Sequence, residues 1–214
     1  MWAVLNENPT REKIILLLKK RGPLAIEELS KELNITSMGI RQHLLSLERR
    51  GLIEYITKRQ GIGRPAFLYK LSEKANDLFP KEYDKLILNL FHDIEKNEGR
   101  EKIDEIFKWR KNRIIKEVKE IIGDKKNLPE RVLAMRDILE NEGYFAELND
   151  SNNHYTLKLY NCPIYKLASI YKEVCKHDLQ MFKELISKDL TRQECIIDGH
   201  PSCTYIIPKT ASKN

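Results

Sequence analysis

Cys162, Cys175, Cys195 and Cys203 are the only cysteines in 214 residues, and all four fall within the last 53. Cytosolic thiols are normally kept reduced, so this clustering reads as a metal or redox site before a disulfide scaffold. The intervening stretches are 12, 19 and 7 residues long. They lack the CxxC pairs of a zinc ribbon and the CxxCxxC run of a ferredoxin. Four thiolates on elements packed together can still enclose an iron–sulfur cluster, whose irons take soft sulfur ligands. A zinc site or a thiol/disulfide switch at the same residues stays open, as does a small-ligand sensor. Cysteines that merely pack would be scattered along the chain. An enzyme with a thiol nucleophile lacks support: His177 two residues after Cys175, and His200 near Cys203, do not have the spacing of an activated Cys–His pair.

The elements that must position these thiols form an α+β unit. A helix is expected over 129–141, then strands over 144–148 and 154–160 around a polar connection at 149–153. A single helix follows over 164–187. The chain closes with a hairpin: strand 193–197, turn 198–201, strand 203–207. Cys162 then sits at a strand end, Cys175 on the long helix, and Cys195 and Cys203 on the two arms of the hairpin.

Upstream, 81–99 and 100–123 read as two helices. Ile103, Ile106, Phe107, Ile114, Val118 and Ile121 recur at helical spacing in the second, among many Lys and Glu. So charged a helix is not buried alone; its apolar stripe should pack on a second copy or on the next domain. His92 and Trp109 read as packing residues.

The first third of the chain is different in charge. Residues 1–75 hold 14 Lys+Arg against 8 Asp+Glu, whereas the remainder holds 24 of each. A localised basic surface favours a polyanion, most commonly nucleic acid. Asn8-Pro9 opens a first helix, with Ile14, Leu17 and Leu18 as its stripe, and Gly22-Pro23 ends it. A second helix carries Ile26, Leu29 and Leu33; Ala25 stands at its cap position and cannot cap. Thr36 can cap a third helix running to Arg50, with Ile40, Leu44 and Leu47 inward and Ser37, Arg41 and Gln42 outward near its start. This is a helix-turn-helix, whose second helix enters the major groove. Arg can grip guanine there and Gln adenine, so Arg41 and Gln42 are the base-reading candidates. Strands over 52–58 and 66–71 flank a turn, 59–65, that carries Gly61, Gly63, Arg59 and Arg64. A hairpin here is a wing, with arginines that can reach phosphates.

The run Thr36-Ser37-Met38-Gly39-Ile40-Arg41-Gln42-His43-Leu44, then Leu47, Gly51-Leu52-Ile53, Gly63-Arg64-Pro65, Tyr69 and Leu71, resembles winged-helix bacterial and archaeal regulators, and among them the SufR-like branch. Cys162-Pro163 with Ala168, then Cys175, then a cysteine-bearing terminal hairpin, resembles the same branch. Gly39 stands where that branch more usually has Ala. The resemblance implies DNA contacts from Thr36, Ser37, Met38, Arg41, Gln42, His43, Arg59 and Arg64. It implies a [4Fe–4S] cluster held chiefly by Cys162, Cys175, Cys195 and Cys203 in each subunit of a homodimer, with [2Fe–2S] or zinc as alternatives. It also implies repression of iron–sulfur assembly genes at a double-stranded operator.

The expected architecture is α+β: a winged helix-turn-helix over 1–78, a helical dimerisation linker over 79–127 and a cysteine-containing sensor domain over 128–214. No apolar run exceeds five residues, whereas a membrane span needs about 20, so a cytoplasmic protein is expected.

Overall fold

The computed structural model describes residues 8–58, 66–122 and 127–209. The chain divides into two compact units, 1–81 and 82–214. Among the described residues no helix is long and apolar enough to cross a membrane.

The first unit begins with helix α1, Pro9–Arg21. The Asn8 side chain accepts from the amides of Thr10 and Arg11 at 3.1 and 3.3 Å, and Pro9 loses nothing at the first helical position. Helix α2, Ile26–Leu33, starts without a side-chain cap. Glu28 makes up part of that deficit: its carboxylate accepts from the Ala25 amide at 2.7 Å, as in half of a capping box. Asn34 ends the helix at φ +52°. Helix α3, Ser37–Arg49, is capped by Thr36, which accepts from the Gly39 amide at 3.2 Å. Strands β1, Ile53–Lys58, and β2, Ala66–Leu71, pair antiparallel with Tyr55 opposite Tyr69. Ile14, Ile15, Leu18, Leu29, Ile40, Leu44 and Leu47 are almost wholly buried and lock the three helices together. The turn expected at 59–65, with Arg59 and Arg64, lies outside the described residues.

The second unit takes in both central helices. Helices α4, Tyr83–Glu98, and α5, Arg100–Ile122, precede α6, Leu128–Asn141. Strands β3, Ala146–Asp150, and β4, His154–Leu159, form the first hairpin. Then come α7, Tyr165–Ile170, and α8, Glu173–Leu185, followed by strands β5, Thr191–Glu194, and β6, Cys203–Pro208. The sheet is antiparallel in the order β3-β4-β6-β5. Tyr155, Leu157 and Leu159 alternate inward from β4 and meet Val132, Met135, Phe182, Leu185 and the end of α5.

Three expectations change here. The single helix over 164–187 is two helices. Tyr171 leaves helical geometry at φ −114°, ψ 79°, and the break sends its ring into a core with Phe91 and Phe107. Its hydroxyl lies 3.1 Å from Glu95. Second, β5 ends at Glu194, so Cys195 does not lie on a strand arm; it precedes a single 3-10 turn, Ile196–Asp198. Third, His92 and Trp109 are exposed; Lys102 lies over the Trp109 ring at 4.9 Å.

The stripe on α5 is covered within this unit, by α7, α8 and the sheet core. Ile103, Phe107, Ile115, Val118 and Ile122 are buried, while Ile121 faces solvent. Polar pairs join α5 to α8 in the same order along both helices: Arg100 to Glu173 at 2.6 Å, Asp104 to His177 at 3.0 Å, Arg110 to Asp178 at 2.6 Å and Lys119 to Glu184 at 2.9 Å. Helix α4 keeps an exposed apolar row, Tyr83, Leu86, Ile87 and Leu90.

Candidate metal centre and nucleic-acid interface

The four thiols come from four different places and meet. Cys162 precedes α7, Cys175 lies in the first turn of α8, Cys195 follows β5, and Cys203 opens β6. All four line one cavity of about 30 Å³, together with Tyr144, Asn161, Asp178, Arg192 and Tyr205. Leu159 and Phe182 close it from the core side. The Cys195 and Cys203 sulfurs are 3.7 Å apart, and the Ile196 amide donates to Cys203 at 3.3 Å.

This wall disfavours thiolate in the absence of a cation. Burial pushes the thiols of Cys175 and Cys203 up to about 12, and raises Cys162 as well. The site also carries fixed charges. Asp178 is 16 % exposed and ion-paired to Arg110; burial raises its pKa, and Arg110 only partly offsets this. Arg192, half-buried, donates to the Cys175 carbonyl at 3.0 Å. Neither His177 nor His200 lines the cavity. His177 is buried against Asp104 instead.

The donor set is soft and anionic once deprotonated, as iron or zinc requires. Two thiolates on one tetrahedral ion with bonds of about 2.3 Å sit roughly 3.8 Å apart, which is the Cys195–Cys203 spacing. Yet among the described residues no three His, Cys, Asp or Glu side chains gather tightly enough for a single metal ion.

The sequence picked out the thiols but not their surroundings. Asp178 lies three residues beyond Cys175, on the same helical face, and Arg192 three before Cys195; helical spacing from Cys175 was the one signal that could have found the first. Tyr144, Asn161 and Tyr205 come from distant segments and carried no local signal.

In the first unit, Thr36, Ser37, Met38, Arg41 and Gln42 all lie exposed on or just before α3. Met38 is 66 % exposed. His43 is half-buried, and burial, then the Arg11 charge, lowers its pKa; it offers a neutral ring rather than a cation. Gly39 has a packing reason: a Cβ there would come within 2.9 Å of Ile35 Cγ2. Leu24 pairs with Tyr69 at 2.9 and 2.8 Å, fixing β2 beside the start of α2. Arg41, Ala25, Ile26 and Phe67 share one groove there.

Residues 8–55 match the family model for "Bacterial regulatory protein, arsR family". No curated protein matches the chain. Among solved structures, the transcriptional regulator Tm0710 from Thermotoga maritima is 22 % identical at TM-score 0.31, over 58 % of this chain and 87 % of that one. Bacillus subtilis PadR in complex with operator DNA is 15 % identical at TM-score 0.30, over 81 % and 94 %. The family match spans the three helices and the start of the wing, the part that presents Arg41 and Gln42 to solvent. The amino-terminal unit is a winged helix-turn-helix, similar over residues 8–55 to bacterial regulatory proteins of the arsR family, which is the architecture of a DNA-binding transcriptional regulator.

Proposed function

We propose that the protein represses transcription, with iron–sulfur assembly genes as targets, under the control of an iron–sulfur cluster held by Cys162, Cys175, Cys195 and Cys203. The observation that carries this reading is the gathering of all four cysteines around one cavity in a chain whose other unit carries a winged helix-turn-helix similar to the arsR family. The resemblance of the Cys162-Pro163 segment and the terminal hairpin to SufR-like regulators supports a [4Fe–4S] cluster.

When bound, the cluster would supply a centre that is lost or altered by oxidants or iron shortage. The chain does the rest. Cys162 and Cys175 fix it to the α7–α8 corner, and Cys195 and Cys203 to the sheet. Leu159 and Phe182 keep water from the inner side. Burial favours the protonated thiols, so binding a cluster would release protons there. Cys175 lies on α8, which is tied to α5 by polar pairs, so loading would act on that helix pair. Two copies gripping half-sites one DNA turn apart would read a change there as a change in spacing. The apolar row on α4 supports a helix seam between copies.

A second reading makes the site zinc or a thiol switch, favoured by the 3.7 Å spacing of Cys195 and Cys203. Anaerobic purification with iron, sulfide and zinc assay, alongside a gel shift on the gene's own upstream DNA, separates the two. Iron and sulfide bound, with DNA affinity that falls on cluster removal, supports the cluster. Zinc without sulfide, or an operator affinity indifferent to loading, sinks it.

A further inference from the structure

Four thiolates around a dication, whether Zn²⁺ or an iron–sulfur core of the same charge, leave a double negative charge in a largely closed site. Such a charge is costly to bury without a partner. Three cations stand near the thiols. Arg110 is committed to Asp178 at 2.6 Å. Lys172 is exposed and committed to Asp198 at 2.9 Å. Arg192 lines the cavity itself and has no carboxylate at ion-pair distance among the described residues. Its guanidinium is held in place by donating to the Cys175 carbonyl at 3.0 Å.

We infer that Arg192 is the charge-compensating residue of the thiol centre: its guanidinium, anchored on the Cys175 carbonyl and the Tyr205 side chain but on no carboxylate among the described residues, offsets the negative charge that the loaded centre brings. This rests on the reading that the four thiols hold a metal centre. Arg192 ligates nothing; it acts through the field at the sulfurs. It therefore sets how readily the centre gains an electron and how long it is retained. Asp178, on the opposite account, is the carboxylate whose charge Arg110 must keep cancelled.

The test uses the full-length protein loaded anaerobically with iron and sulfide. Midpoint potential and the rate of iron loss to a chelator are measured for wild type, Arg192→Gln, Arg192→Lys and Asp178→Asn. Removing the positive charge makes reduction harder, so Arg192→Gln should shift the potential negative and lose iron roughly 10–100-fold faster, the usual scale for an outer-shell partner. Arg192→Lys keeps a point charge, so its iron loss should stay within about threefold of wild type. Asp178→Asn leaves Arg110 unopposed and should shift the potential the other way, which tests the idea even if Arg192→Gln fails to fold. Potentials that do not move with charge overturn the inference while the cluster reading stands. An Arg192→Lys as impaired as Arg192→Gln also overturns it, since the anchor on Cys175 and not the charge would then matter. Wild-type protein that takes up neither iron and sulfide nor zinc overturns the cluster reading, and this inference with it.

Discussion

Replacing Arg110 by Met leaves Asp178 as a mostly buried carboxylate without its counter-ion. The side chains of Arg110 and Asp178 are 25 % and 16 % exposed, and their closest approach is 2.6 Å. Breaking a fully buried pair by removing one partner costs about 3–5 kcal/mol. Residual solvent contact reduces that here, so about 2–3 kcal/mol is expected at neutral pH. Burial already raises the Asp178 pKa with Arg110 in place, and the variant raises it further. A carboxyl whose folded pKa exceeds its unfolded value of about 3.9 is best tolerated when protonated. Its favourable contribution is complete below that value and is lost as pH rises through the folded pKa. The gap between Arg110→Met and wild type should therefore be widest near neutrality and close as pH falls. Urea unfolding of both proteins at several pH values measures it. Arg110→Met with Asp178→Leu should recover most of the loss, because paired apolar groups often replace a buried ion pair without penalty. A gap below about 0.5 kcal/mol, or one that grows toward acid, would refute the reasoning.

Other outcomes follow from the structure and, for Arg64, from the sequence alone. Tyr171→Ala removes a ring that is 2 % exposed and should destabilise by about 3–5 kcal/mol, whereas Tyr171→Phe, losing only the bond to Glu95, should cost about 1 kcal/mol; thermal unfolding compares them. Because Cys175 and Cys203 are pushed up to about 12 by burial, the metal-free protein should be stable below their unfolded pKa of about 8.5 and weaken progressively above it. In the double Ser variant that slope should flatten, as read by melting temperature between neutral and alkaline buffers. Arg41→Ala should weaken operator binding by roughly 1–3 kcal/mol at one base position, while Arg64→Ala should weaken all sequences alike and flatten the salt dependence; gel shifts over a salt series separate them.

Most elements were legible because their signals are local. Asn8, Thr36 and Gly99 mark helix ends by capping chemistry, and α4 and α5 end within two residues of where periodicity puts them. What local signals missed lies in tertiary choices. The 164–187 stretch has continuous helical periodicity, and only the aromatic partners Phe91 and Phe107, distant in the chain, draw Tyr171 out of it. Trp109 looks like core by type, but its position on α5 is exposed. The thiol centre was legible as a set of four cysteines and opaque in its wall, since Tyr144, Arg192 and Tyr205 are ordinary residues until the sheet and α8 bring them together.

The ladder between α5 and α8 has a mechanical corollary. Cys175 lies between two of its rungs, Glu173 and His177. Arg100 also holds Glu95 and Asp104 also meets Lys176, so a partial slide of α8 would disturb several charged pairs at once. The pair behaves like meshed gear teeth, with discrete seats and unfavourable ground between them. A disturbance at the sulfur would then arrive at the far end of α5 as a click into another seat or not at all, so the protein would answer its signal by threshold rather than by degree.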